Sequence, residues 1–188
     1  MSSDRAADQY ECTAVVLEAT PDAAVVSNLG VASYVLAAVE DRDLNFYQWG
    51  SMGVTTPLGL GLATATDEQI TVLDGDGSML MSLGALAPVA KYDPSNLTIV
   101  VWQNDRYGTT GGQPTPTDEV DFAAVAQGVG LEATSVSTAE EFEAAYREAV
   151  AADGASLVVC DVEPCDPSER PSSDYAHIKR RFRAALDE

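Results

Sequence analysis

Short apolar runs rich in β-branched residues alternate along this chain with longer stretches of helical spacing. Ala23 to Val26, Ile70 to Leu73, Leu97 to Trp102, Ala133 to Val136 and Ser156 to Cys160 predict strands. Helices are predicted over Asp8 to Ala19, Ala32 to Glu40, Pro57 to Thr66, Ser82 to Lys91, Asp121 to Gly130 and Thr138 to Ala152. Thr138 with Glu141 three residues on is a capping box, the clearest helix start in the chain. Strand segments such as Thr98 to Trp102 are apolar almost throughout, as strands covered on both faces should be. The pattern therefore predicts an α/β fold: a parallel sheet of five to six strands with helices on both faces. A Pro/Ser connector, Cys165 to Ser173, leads to a predicted C-terminal helix over 173–187 that carries Lys179, Arg180, Arg181 and Arg183. Complementing that helix's own dipole and contacting an acidic partner are both open roles for this cluster.

With 188 residues, 46% of them hydrophobic, the chain can bury a full core, and residues 1–188 are expected to form one domain. Ten basic residues against 30 acidic ones give a net charge of −20, which disfavours nucleic acid and anionic membrane surfaces as partners. The acid is spread from end to end and only two lysines are present, a balance expected of a protein kept soluble in concentrated salt, hence a halophilic source. No run reaches the roughly 20 apolar residues of a membrane span, and the N-terminal MSSDRAADQYEC lacks the base and apolar core of a signal peptide. A cytoplasmic location is expected. Cys12, Cys160 and Cys165 are too few for a disulfide framework, and C-x4-C without a second pair is a poor zinc site.

In a sheet of this kind ligands bind beyond the carboxyl ends of the strands. Three segments fall there: Trp49-Gly50-Ser51-Met52-Gly53, Asp74-Gly75-Asp76-Gly77-Ser78, and the loop from Gln103 to Gly112. Gly75 and Gly77 permit close backbone approach, and a helix expected to begin at Ser78 would offer free N–H groups to a phosphate. Asp76 beside such an anion would repel it unless a cation lay between them, and Mg²⁺ with carboxylate, amide and phosphate oxygens suits that arrangement. One helix and one strand further on, Asn104 would reach the same edge as a second ligand. Asp-Gly alone is a common turn; the ordered combination is far more specific.

These residues resemble the signature of thiamine diphosphate (ThDP) enzymes, in the domain that holds the diphosphate, from about Val25 to Gly130. The resemblance implies that Asp76, the Asn104 side chain and the Arg106 carbonyl ligate Mg²⁺, and that Gly75, Gly77 and Ser78 contact the diphosphate, with Tyr107 and Thr109 beside it. It implies that Gly50 accepts a hydrogen bond from the aminopyrimidine, with Ser51 adjacent, and that Met52 is the apolar wedge that bends the cofactor. Helix capping by Ser51 and plain packing by Tyr107 are the bland alternatives. Gln103 departs from the asparagine common at its position in the family. Gln113, in the stretch from Gly111 to Thr115, is open to either a direct contact or a loop-shaping role.

Family members that act on 2-oxo acids contain a second α/β domain whose glutamate activates the cofactor, and no glutamate here fits that role. The resemblance therefore implies a partner α subunit carrying the pyrimidine-binding domain, with the active site shared between chains in a hetero-oligomer. VSNLGVAS, NFYQWGSMG and YGTTGGQPT look most like the β subunits of sulfopyruvate decarboxylases, whose relatives are the phosphonopyruvate decarboxylases. The implied activity is decarboxylation of a small anionic 2-oxo acid, within coenzyme M biosynthesis for the sulfonate. A carboligase or oxoacid dehydrogenase half and a non-catalytic ThDP-binding regulatory subunit are the alternatives. A dinucleotide-binding domain is disfavoured, because no G-x-G-x-x-G follows the first strand.

Overall fold

The structure, a computed structural model, describes residues 6–186. The central strands β1 (Ala24–Ser27), β3 (Ile70–Gly75), β4 (Leu97–Gln103) and β8 (Ser156–Asp161) are the apolar runs of the sequence. With β2 (Asn45–Tyr47) and β7 (Glu132–Val136) at the edges they form one sheet in the order β2-β1-β3-β4-β8-β7. All five pairings are parallel, with Val72 beside Ile99 and Ile99 beside Leu157. The expected fold class is the observed one.

Strand alternation divides the core in two. Ala24, Val26, Ile70, Val72, Ile99 and Val101 face one layer, covered by α3 (Thr55–Ala63), α4 (Asp76–Met81), α5 (Leu86–Tyr92) and α6 (Phe122–Gly128). Val25, Leu73, Val100, Trp102, Val158 and Cys160 face the other, covered by α1 (Gln9–Ala19), α2 (Val31–Val39) and α7 (Ala139–Val150). On that second side the Tyr146 hydroxyl, fully buried, bonds both Thr20 Oγ1 at 3.0 Å and Thr71 Oγ1 at 2.7 Å. The capping box forms as expected: Thr138 Oγ1 accepts from Glu141 N at 3.2 Å, and Glu141 accepts from Thr138 N.

The C-terminal helix α8 (Tyr175–Leu186) lies across the β2 edge, its Ile178 in one core layer and its Phe182 in the other. Residue 187 of the expected helix lies outside the described residues. Of its basic residues, Arg181 turns inward to pair with Asp41 and lies over the Tyr47 ring, while Lys179 and Arg180 stay exposed. Three expectations are corrected. β2 was not foreseen, and the helix expected over Ser82 to Lys91 is a 3₁₀ turn (Leu83–Ala85) followed by α5. The helix after Gly75 begins at Asp76, not Ser78, with Gly75 as its N-cap. Among the described residues no helix is long and apolar enough to cross a membrane.

Candidate cofactor cleft

The chain runs from β1 outward to β2, then returns past β1 to β3, so the carboxyl ends of β1 and β3 mark the point where strand order reverses. Open α/β sheets place their crevice there. Asn28 and Leu29 after β1, Gly75 to Ser78 after β3, and Asn104 with Arg106 to Thr110 after β4 line one cleft, together with Met52. Its cavity is about 80 Å³. A larger concavity, about 780 Å³, lies between α7 and edge strand β7; it is lined by Glu132, Glu141 and Glu148 and by none of the three motifs.

Asp76 forms the socket of this cleft. It is 3% exposed. Its Oδ1 accepts from Gly77 N at 2.7 Å, and its Oδ2 accepts from Asp105 N at 2.9 Å and from the Thr115 and Thr117 hydroxyls at 3.0 Å each. Burial raises the carboxyl above its ordinary range, and these four hydrogen bonds work against the shift. Oδ2 is saturated, whereas Oδ1 has one donor and keeps a lone pair open. Asn104 Oδ1, which accepts from Arg106 N at 3.0 Å, also keeps a lone pair. Asn104 and Arg106 line the cleft with Asp76, giving the hard oxygen donors a divalent cation requires. No group of three His, Cys, Asp or Glu side chains among the described residues is placed to hold a metal, so an ion here would need amide, carbonyl and ligand oxygens as well.

The loop after β4 folds over Asp76 through a short hairpin, β5 (Arg106–Tyr107) against β6 (Gln113–Pro114). It presses close to Gly77: a Cβ there would lie 2.5 Å from the Tyr107 ring and 3.0 Å from Thr115 Cγ2. Only glycine fits at that position.

On the opposite side, the segment from Gln48 to Gly53 is tied to the turn after β3. Gly53 N donates to Ser78 Oγ at 2.9 Å, and Gln48 Nε2 donates to Ser51 O at 3.0 Å. The Thr55 hydroxyl meets Gln48 Oε1 at 2.9 Å and Asn28 Oδ1 at 3.3 Å. The Thr56 hydroxyl donates to Oδ2 of Asp74, which is fully buried and pushed up to about 6 by that burial, against hydrogen bonds that include those from Thr56 and Gly75 N. Trp49 packs beside Tyr34 and Tyr175, with centroids 6.4 and 5.7 Å away, so α8 also buttresses this loop.

Of the residues singled out in the sequence, Met52, Gly75, Asp76, Gly77, Ser78, Asn104, Arg106, Tyr107 and Thr109 meet at this one cleft. Gly50 and Ser51 stand exposed beside it rather than in its lining, and Ser51 adopts φ of 63° instead of capping a helix. Gln113 shapes the loop, exchanging hydrogen bonds with Thr110, and does not line the cleft. Sequence reasoning missed Thr117, Asn28, Gln48, Thr55, Thr56 and Asp74. Only Asp74 carried a signal, as an acid at the buried end of an apolar strand.

The family described as "Thiamine pyrophosphate enzyme, C-terminal TPP binding domain" matches residues 26–160; thiamine pyrophosphate (TPP) is ThDP. The chain is 41% identical to the phosphonopyruvate decarboxylase of Streptomyces viridochromogenes, over 90% of this chain but 44% of that protein. It is 36% identical to sulfopyruvate decarboxylase subunit beta of Methanocaldococcus jannaschii, over 86% of this chain and 87% of that subunit. Among solved structures, the thiamine diphosphate-dependent 4-hydroxybenzoylformate decarboxylase of Rhodococcus jostii RHA1 superposes with a TM-score of 0.73 at 27% identity, covering 89% of this chain and 34% of that one.

Proposed function

Since this chain belongs to the thiamine pyrophosphate enzymes, we propose that it is the cofactor-holding β subunit of a Mg²⁺-dependent 2-oxo-acid decarboxylase, converting 3-sulfopyruvate to sulfoacetaldehyde and CO₂. The observation that carries this reading is one of proportion. The chain matches 87% of a protein named as a β subunit but only 44% of a phosphonopyruvate decarboxylase that is not named as a subunit. A partner α subunit, bearing the pyrimidine-binding domain and the activating glutamate, would supply the remainder. The cavity of about 80 Å³ supports the same conclusion, because small-molecule sites span roughly 300–1,000 Å³ and this one needs another wall.

In this reading residues 1–188 are one diphosphate-binding domain. Asp76 through Oδ1, Asn104 through its amide oxygen and Arg106 through its carbonyl would hold Mg²⁺. Gly75, Gly77 and Ser78 would meet the diphosphate, with Thr109 and Tyr107 closing over it, and Gly50, Ser51 and Met52 would face the two rings. When bound, ThDP supplies the electron sink for loss of CO₂. The protein's part is placement: Thr115, Thr117 and the backbone of Gly77 and Asp105 fix Asp76 in one orientation, so its free lone pair needs no reorganisation on metal binding. The three free thiols support a cytoplasmic location.

Phosphonopyruvate is the second substrate reading, favoured by the 41% identity to a phosphonopyruvate decarboxylase. The test is to purify the chain with its partner, load Mg²⁺ and ThDP, and follow CO₂ release from both acids. Sulfopyruvate should be turned over faster. Preference for phosphonopyruvate selects the second reading, and turnover of neither acid overturns both. Turnover by the isolated chain would refute the shared site.

A further inference from the structure

Two buried carboxylates stand two residues apart in the turn after β3, and the proposed chemistry uses only Asp76. Asp74 is fully buried, has hydrogen-bond partners distinct from those of Asp76, and accepts from Thr56 Oγ1 at 3.2 Å and from Gly75 N at 3.0 Å. An unpaired carboxylate at such a site would be costly, so its surroundings must be built around it. Thr56 belongs to the first turn of α3, directly after the segment that carries Met52. Ser78 belongs to α4, and its hydroxyl oxygen is the acceptor for Gly53 N at 2.9 Å. Asp74 and Ser78 thus each hold one end of the stretch Gly53–Thr56 against the same turn.

From this geometry we infer that Asp74 is a positioning residue that clamps the Gln48–Gly53 segment onto the Gly75–Ser78 turn, holding Met52 at a fixed distance from Asp76. Asp74 accepts from Thr56 at the start of α3, and three residues earlier Gly53 donates to Ser78, so the segment is pinned to the turn at both ends and loosening the Thr56 end loosens Gly53. Two loops from different strands thus share one buried acid, which sets the spacing between the ring end and the phosphate end of the cleft. The inference rests on the proposed ThDP reading for its purpose. The clamp itself rests only on these contacts.

Substitutions at Thr56 separate bonding from packing. Thr56→Val keeps the shape and removes the donor; Thr56→Ser keeps the donor and removes a methyl. In the chain purified with its partner, hydrogen exchange at Gly53 N–H should quicken about tenfold in Thr56→Val and stay near wild type in Thr56→Ser. The Kd for Mg²⁺-ThDP, measured by calorimetry, should rise about tenfold in the valine variant alone. Equal exchange in wild type and Thr56→Val, or equal quickening in both variants, would overturn the clamp. If Thr56→Val fails to fold, Asp74→Asn, which turns one acceptor into a donor at constant volume, takes its place with the same expected result. A complex in which Thr56→Val alone quickens Gly53 exchange, but which takes up no ThDP, would establish the clamp and remove the proposed function.

Discussion

Thr117→Val isolates the socket that holds Asp76. Thr117 is fully buried, and its hydroxyl approaches Asp76 Oδ2 at 3.0 Å, Asp105 Oδ1 at 3.2 Å and the Thr115 hydroxyl. Thr115 and Thr117 bring two protons to these contacts, and Oδ2 is the one acceptor within reach of both. Valine matches threonine in shape, so the main change is a carboxylate left with three donors instead of four. Asp76 is only 3% exposed, so bulk water cannot replace the lost bond. A hydrogen bond to a charged group is worth about 1.5–3 kcal/mol. At ~2 kcal/mol, a domain of this size should lose about 4–8 °C in Tm. The assay is a circular-dichroism melt beside wild type at one fixed ionic strength, since a net charge of −20 makes the baseline salt-dependent. Thr115→Val reaches the same oxygen and should cost a similar amount, and the double variant should depart from the sum because the two hydroxyls touch. A Tm within about 1 °C of wild type for Thr117→Val would refute the claim that threonine donors support Asp76.

Other outcomes follow from the same contacts. Gly59→Ala places a Cβ 2.1 Å from Val72 Cγ2, where α3 lies on β3, and this overpacking should cost about 1–3 kcal/mol by urea titration; an unchanged midpoint would mean that α3 can lift away freely. Burial alone would raise Asp41, but the Arg181 guanidinium and Tyr47 hydroxyl outweigh it and leave its carboxyl lowered. A lowered carboxyl stabilises the fold above its unfolded value of about 3.9, and that contribution is lost as pH falls through the folded value. The docking of α8 should therefore loosen below about pH 4, seen as quickened exchange in residues 175–186, and Asp41→Asn should abolish this pH step. Thr138→Ala removes the α7 N-cap and should cost ~1 kcal/mol, read from the same urea titration.

The sequence was most legible where one residue type has one physical reason to be present. Both-face apolar runs announced β3, β4 and β8, because a parallel strand between helix layers has no polar side. Thr138 and Glu141 announced a helix start through a bond pattern wholly contained in four residues. Asp76, Gly77 and Asn104 were legible because their ordered spacing is specific, and the fold brings all three to one cleft. What stayed hidden depends on partners far apart in sequence. Thr56 reads as an ordinary helix residue until Asp74 is placed beside it, and Thr117 as a loop residue until the hairpin folds back over Asp76. β2 escaped because three residues, Asn45 to Tyr47, are too short for a period, and their place is fixed by pairing with β1. The break at Ser82 escaped because Ser82 reads equally as a helix start; in the fold its N–H instead closes α4 onto Met79 O.

The Tyr146 hydroxyl has consequences for kinetics rather than for the site. It joins Thr20, 126 residues back along the chain, to Thr71, 75 residues back. Contacts at such separations reward the chain only after large loops have closed. These two bonds are therefore expected to form late, after α1, α7 and β3 have come together. Interactions absent from the folding transition state act on the rate of unfolding and leave the rate of folding almost unchanged. One phenolic oxygen would thus act as a latch: Tyr146→Phe should speed unfolding and leave the folding rate near wild type in a stopped-flow chevron.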